Sequence, residues 1–182
     1  MRGQGRRGLL DAATRVVLAE GGAALTLDAV AHEAGVSKGG LLYHFPTKRR
    51  LVAGLVEHLV ARFDAEVSAA HAEEIAVADS PGAWTRAWLR VAAGREVAEL
   101  DRASAGLIAA FTEDPALLDP LRAAHARWTA RMEDDGLDPV DVTLVRLVLD
   151  GVWLARLAGF AEPSPERAVA LLARLGALAG AT

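Results

Sequence analysis

Apolar residues recur at three- and four-residue intervals along almost the whole chain. Leu9, Ala12, Ala13, Val16 and Val17 form one stripe, which predicts a helix over Gly8–Glu20 closed by Gly21-Gly22. Leu51, Leu55, Val56, Leu59, Val60 and Phe63 mark the apolar face of a much longer helix, from Lys48 to about Val77. Beyond it, four dipeptides punctuate the pattern: Ser80-Pro81, Asp114-Pro115, Asp138-Pro139 and Ser164-Pro165. Each sets a capping side chain before a proline at the first helical position, so each predicts a helix start. The first opens a helix with Trp84, Trp88, Leu89 and Val91, which Gly94 weakens without necessarily ending. A small-residue segment, Leu100–Phe111, follows. Asp114-Pro115 opens a helix through Leu118, Leu121, His125, Trp128 and Met132, closed by Gly136. The last two helices run from Asp138-Pro139 to about Gly159 and over Glu166–Leu178. No strand alternation or hairpin signal interrupts the series, and the chain reads as all-α.

Between the first stripe and the long helix lies TLDAVAHEAGVSKGGLLYHFPTKRRL, Thr26 to Leu51. Thr26 caps a short helix over Leu27–Ala34, and Gly35 ends it in a left-handed conformation. Ser37 caps a second short helix, Lys38–His44. Two helices joined by a tight glycine turn are the helix-turn-helix pattern, whose second helix enters the DNA major groove. Gly39 and Gly40 lie inside that helix, where each costs on the order of 1 kcal/mol relative to alanine. Close approach to a base edge or a phosphate would explain them. Thr47 caps the next helix, so its first turn is Lys48-Arg49-Arg50. Cations there oppose the helix dipole, and a bound phosphate would relieve the conflict. Tyr43 and His44 beside this turn can donate to phosphate oxygens.

The run Ala34–Leu51, AGVSKGGLLYHFPTKRRL, resembles the turn, recognition helix and fourth-helix start of the TetR family of transcriptional regulators. The resemblance extends back through Leu9–Gly22 and covers roughly the first third of the chain. The family usually carries an aromatic residue where this chain has Leu42, which leaves Lys38, Gly39 and Gly40 as readers of the groove. The resemblance implies an all-α protein with a three-helix helix-turn-helix DNA-binding head (residues 1–50) and a helical ligand-binding and dimerisation body (51–182). It implies Thr26, Ser37, Lys38, Gly39, Gly40, Tyr43, His44 and Lys48 as the DNA-contacting set. It also implies a homodimer through Val142–Gly159 and Glu166–Leu178, two helices more apolar around their circumference than surface helices usually are. Gly151, Ala155 and Gly159, four residues apart, permit close helix approach there.

Charge supports this division. The net charge is −4, yet residues 1–50 hold eight Lys and Arg against four Asp and Glu, a balance of +4. The remainder, with twelve against twenty, stands at −8. The basic excess coincides with the helix-turn-helix. Arg2, Arg6 and Arg7 could add a basic arm. There are no cysteines, which excludes disulfides and thiolate metal sites and fits a cytoplasmic protein. No apolar run is long enough to span a membrane, and no secretory leader is expected.

Catalytic chemistry has little to stand on. The five histidines, His32, His44, His58, His71 and His125, show no metal-binding spacing, and neither GxSxG, GxGxxG nor a phosphate loop occurs. No enzyme activity, cofactor or metal is expected. Trp84 and Trp88, one helical turn apart, with Phe63, Leu107, Phe111, His125, Trp128 and Trp153, would line a cavity for an apolar or aromatic small molecule. Taken singly they read as core residues; the family's habit of binding inducers in its body favours the cavity. The expected function is a homodimeric repressor on a pseudo-palindromic double-stranded operator, released by such an effector. The alternative is a helical small-molecule binding protein whose head does not bind DNA.

Overall fold

A computed structural model of the chain describes residues 5–77, 79–94, 103, 107–158, 160 and 163–180. The chain is all-α. Among the described residues the helices are α1 (Arg6–Glu20), α2 (Leu27–Glu33), α3 (Lys38–His44), α4 (Lys48–Val77), α5 (Ala83–Ala92), α6 (Ile108–Glu113), α7 (Asp119–Glu133), α8 (Pro139–Ala158) and α9 (Pro165–Leu178), with Ala103 also helical. Two 3-10 turns, Gly22–Ala24 and Pro115–Leu118, precede α2 and α7. Arg2, Leu100 and Gly159, used in the expectations above, lie outside the described residues. Among the described residues no helix is long and apolar enough to cross a membrane.

The chain forms two compact units. The first gathers Met1–Ala61 with Arg102–Arg122, the second Arg62–Asp101 with Ala123–Thr182. In the first unit the stripe read from sequence is the core: Leu9, Ala12, Ala13, Val16 and Val17 of α1 are all buried, with Leu10 beside them. They meet Val30 and Ala31 of α2, Leu41 of α3, Phe45, and Leu51, Val52, Leu55 and Val56 of α4 in the same buried set. Gly54 allows this packing. A Cβ there would lie 2.8 Å from the buried Phe45 ring and 3.1 Å from the Arg6 guanidinium. Arg6 in turn stacks over the Phe45 ring, 5.3 Å from its centroid. Leu107 and Leu117 are also buried in this unit, and α6 packs on the 3-10 turn Gly22–Ala24.

The second unit departs from the sequence expectation at its first helix. Ser80 was expected to cap and Pro81 to begin the helix; instead α5 starts at Ala83, and Gly82 precedes it with φ +86°. No local side chain caps it. The caps come from far along the chain: the Asp135 carboxylate accepts from the N–H groups of Trp84 (3.2 Å) and Thr85 (2.7 Å). The Ser80 hydroxyl instead accepts from Arg86, whose guanidinium also donates to the carbonyls of Pro81 and Ala179 and pairs with Glu74. Gly82 is required here because a Cβ would sit 2.4 Å from the Ala179 carbonyl. The start of α5 is thus locked to the end of α9.

The end of α5, left open by the sequence, falls at Ala92, before Gly94, with the Ala93 N–H closing on the Leu89 carbonyl. One further boundary differs from expectation. Asp114 does cap, accepting from Ala116 N–H at 3.2 Å, but it opens a 3-10 turn rather than the long helix. Pro120 explains this, since proline is best accommodated in the first turn of a helix and so resets the start to Asp119. The Asp138 and Ser164 starts are as expected, with their side chains accepting from Val140 N–H and Arg167 N–H.

Because Asp135 supplies the only side-chain acceptors for the first turn of α5 among the described residues, Asp135→Ala should destabilise the protein as loss of an N-cap does, by about 0.5–2 kcal/mol. Urea unfolding followed by circular dichroism would measure the loss, and Ser80→Ala should cost less.

Candidate nucleic-acid interface and effector region

The helix-turn-helix is held by backbone bonds at its turn. Gly35 adopts φ +65°, its N–H bonds to the His32 carbonyl, and Val36 N–H reaches back to the Ala31 carbonyl at 3.0 Å. This is the 6→1 and 5→2 closure that satisfies the carbonyls ending α2. Three hydroxyls then do one job at three helix starts: Thr26 accepts from Ala29 N–H, Ser37 from Gly40 N–H and Thr47 from Arg50 N–H, each at 3.1 Å. α3 buries Leu41 and leaves its other side open. Lys38, Gly39 and Gly40 are exposed and Tyr43 is 85% exposed, with the half-buried His44 ring edge-on to it at 5.1 Å. Thr26, Ser37 and Lys48 are exposed too.

The glycines of α3 have no packing reason inside the protein. A Cβ on Gly39 would come no nearer than 4.0 Å to any atom, and one on Gly40 would meet only Ser37 Oγ at 3.4 Å. Gly54 shows the contrast, since its Cβ would collide with the core.

The basic residues of the head divide into two sets. Arg6 pairs with Glu57, Arg15 with Glu33, Lys38 with Asp28 and Arg49 with Asp114. Arg7, Lys48 and Arg50 are exposed and face no carboxylate among the described residues. Arg50 was not among the DNA-contacting residues expected from sequence, although the basic first turn of α4 was the signal that marks it. The hydrogen bond from Arg49 holds the Asp114 carboxyl below the usual carboxylate range, against the opposing effect of desolvation. A depressed carboxylate stabilises the fold at pH above its unfolded value, and that contribution fades as pH falls through the depressed folded value. The Arg49–Asp114 pair is therefore complete at neutral pH and is lost only in acid.

In the second unit, Phe63 lies between two tryptophans, 4.8 Å from the Trp128 ring centroid and 6.0 Å from that of Trp88. The Trp128 indole N–H donates to Asp64, and His125 stands 6.4 Å from the Trp128 ring while bonding Asp150. Trp84 is stacked by Arg131 at 3.8 Å and touched edge-on by His71. Trp84 and Trp88 are each 5% exposed, and among the described residues neither indole N–H has a hydrogen-bond partner, nor does the buried Thr85 hydroxyl between them. A buried donor left unmade costs about 1–3 kcal/mol, so these groups are exceptions to ordinary packing. Trp153 is half-buried on α8. Leu107 and Phe111 belong to the first unit, not to this group.

Two family models match the chain. One, for bacterial regulatory proteins of the tetR family, matches residues 9–55. The other, for the tetracyclin repressor-like C-terminal domain, matches residues 82–180, more than half of the chain. The chain belongs to the TetR family. Solved structures agree over most of the chain. One from Streptomyces coelicolor A3 is 29% identical, with 93% of this chain and 96% of that chain covered and a TM-score of 0.68. One from Rhodococcus sp. is 27% identical, with 95% and 96% covered and a TM-score of 0.71. The multidrug binding protein EbrR, in complex with imidazole, is 30% identical, with 94% and 95% covered and a TM-score of 0.63. No curated protein matches the chain.

This TetR-family chain also presents an apolar face of its own. On α8, Val142, Val145 and Leu149 point inward and are buried, while Val140, Leu144, Leu147 and Leu154 are 46–65% exposed. The exposed set recurs at three- and four-residue spacing and includes Gly151, where a Cβ would meet nothing within 4 Å.

If Lys48 meets a phosphate, Lys48→Ala should weaken binding to every duplex and reduce the salt slope of log K by about 1. Fluorescence anisotropy over a salt series reads both, and an unchanged slope would remove Lys48 from the DNA surface.

Proposed function

We propose that this TetR-family regulator is a homodimeric repressor that binds a pseudo-palindromic operator and is released by a small apolar or aromatic effector. The observation that carries the reading is the exposed α3 with its two unpacked glycines, set beside the unpaired cations Lys48 and Arg50. In this reading Lys38, Gly39 and Gly40 meet base edges. Thr26, Ser37, Tyr43, His44, Lys48 and Arg50 hold phosphates and fix the register of the head on the duplex. A DNA target makes the cytoplasm the site of action.

The dimer reading rests on the outward stripe of α8, Val140, Leu144, Leu147 and Leu154, with Val169 of α9 exposed as well. An apolar face of that length on a regulator that must present two heads favours a second copy as its cover. For the effector, the support is the group of Phe63, Trp84, Trp88, His125 and Trp128, with its two unpartnered indole N–H groups. EbrR has been crystallised with malachite green and with ethidium, both flat aromatic molecules. An effector bound here would act on α4, whose far end carries Lys48. A preference of about 1–3 kcal/mol for one arrangement of that helix suffices for allosteric coupling.

Selection from a random duplex library with purified protein at moderate salt tests the DNA reading. Enrichment of an inverted repeat is expected, with half-sites about 34–36 Å apart; enrichment of nothing would refute it. Gly40→Leu should abolish operator binding while leaving the unfolding midpoint nearly unchanged, since its side chain has room in the free protein. Retained affinity would remove the close-approach explanation of the glycines. Leu147→Glu combined with Leu154→Glu should convert a sedimenting dimer to monomer; an unaltered sedimentation coefficient would place the interface elsewhere.

A further inference from the structure

One ion pair of the head lies within the helix-turn-helix itself. Lys38 Nζ and the Asp28 carboxylate stand 2.9 Å apart, with side chains 57% and 71% exposed. Arg6–Glu57 and Arg15–Glu33 tie α1 to α4 and α1 to α2. Lys38–Asp28 instead joins the first turn of α2 to the first residue of α3. So exposed a pair contributes little to stability. Its placement is nonetheless ordered by charge. Asp28 in the first turn of α2 is favoured by the helix dipole, whereas Lys38 at the start of α3 is not. Asp28 thus supplies the counter-charge that Lys38 lacks from its own helix.

The residues at the N-terminus of a recognition helix are those that meet base edges. If Lys38 reaches the groove, a carboxylate 2.9 Å from it arrives at the same surface. That carboxylate is an acceptor only. It is repelled by phosphates and by the N7 and O6 acceptors of guanine and the O4 of thymine. The groups it can meet favourably are exocyclic amines, of which cytosine N4 is the usual partner for an acidic side chain.

We propose that Asp28 is a base-reading residue: while Lys38 donates to the O6 and N7 of a guanine, Asp28 accepts from the N4 amine of a neighbouring cytosine. Its charge discriminates against duplexes that offer no such amine. The pair therefore restrains non-specific attraction in the free protein and exchanges for a specific contact on the operator. This rests on the DNA-binding reading above.

The test is a library selection with full-length wild type and Asp28→Ala in parallel, followed by affinities for the selected and for an unrelated duplex across a salt series. Wild type is expected to enrich cytosine at one position of each half-site. Asp28→Ala should lose that preference, and its ratio of operator to unrelated affinity should fall about tenfold or more. Its binding to the unrelated duplex should tighten and its salt slope steepen by about 1, because Lys38 is no longer neutralised. If the variant enriches the same half-site with the same affinity ratio, Asp28 does not read DNA and the inference is overturned while the regulator reading stands. If wild type enriches nothing, the regulator reading falls and takes this inference with it. The Thr26 cap does not involve the Asp28 side chain, so an unfolding midpoint close to wild type is expected and separates a binding defect from a folding one.

Discussion

The head depends on the backbone closure around Gly35. α3 has seven residues, too few to persist as a helix alone in water. It exists because its start is fixed by the turn and by Ser37, and because Leu41 and Phe45 are buried. The turn is fixed in turn by the two N–H groups of Gly35 and Val36, which return to the carbonyls of His32 and Ala31. A side chain at position 35 would carry the penalty of a left-handed backbone, about 1–2 kcal/mol, at the point that orients the recognition helix. Position 35 is where backbone conformation, rather than side-chain chemistry, prepares the surface proposed to meet DNA.

The second unit is ordered by a different device. Its helix α5 begins without a local cap, and the groups that finish it lie about 50 residues later, in the carboxylate of Asp135. Arg86 extends this arrangement by donating to the Ala179 carbonyl near the end of α9. The same helix carries the buried tryptophans with unpartnered indole N–H groups. A helix clamped at its start by long-range polar bonds can hold such imperfectly satisfied side chains without fraying. That combination is what a pocket wall requires: a fixed backbone beneath groups whose bonding is left open.

What could be read from the sequence follows from how local each determinant is. The helix-turn-helix was legible residue by residue, because Thr26, Ser37, Thr47 and Gly35 act within three or four positions of themselves. The stripes of α1 and α4 were legible for the same reason, since a helical period is a local property. The start of α5 was not. Ser80-Pro81 carries the right residue types, but Arg86 engages the serine hydroxyl and a close approach to Ala179 demands Gly82. Neither partner is visible from a neighbouring position. Pro120 was an overlooked local signal. Gly54 is an intermediate case: nothing around it in sequence distinguishes it from a dispensable helix glycine, and only the Phe45 ring and Arg6, packed against it, give it a purpose. The DNA and effector surfaces were proposed from residue types, and the pairing of Lys38 with Asp28 shows what such a list omits. It names the cation and not the anion that modulates it.

The distribution of ion pairs bears on how a protein with a net charge of −4 would hold a polyanion selectively. A head with all its cations free would attract any duplex through counterion release, with little regard for sequence. Here four cations of the head already hold carboxylates, and Arg7 at the start of α1 and Lys48 and Arg50 at the start of α4 do not. Long-range attraction then falls to the unpaired residues and the helix starts they occupy. The paired ones become available only where a DNA group replaces the carboxylate, and replacing a hydrogen-bonded partner demands matching geometry, not charge alone. Non-specific affinity is thereby lowered more than specific affinity, and the ratio of the two, rather than either constant, decides whether a regulator finds one site among many. On this view the acidic residues of the head are part of its recognition chemistry, and a count of its basic residues would overstate its attraction to DNA at large.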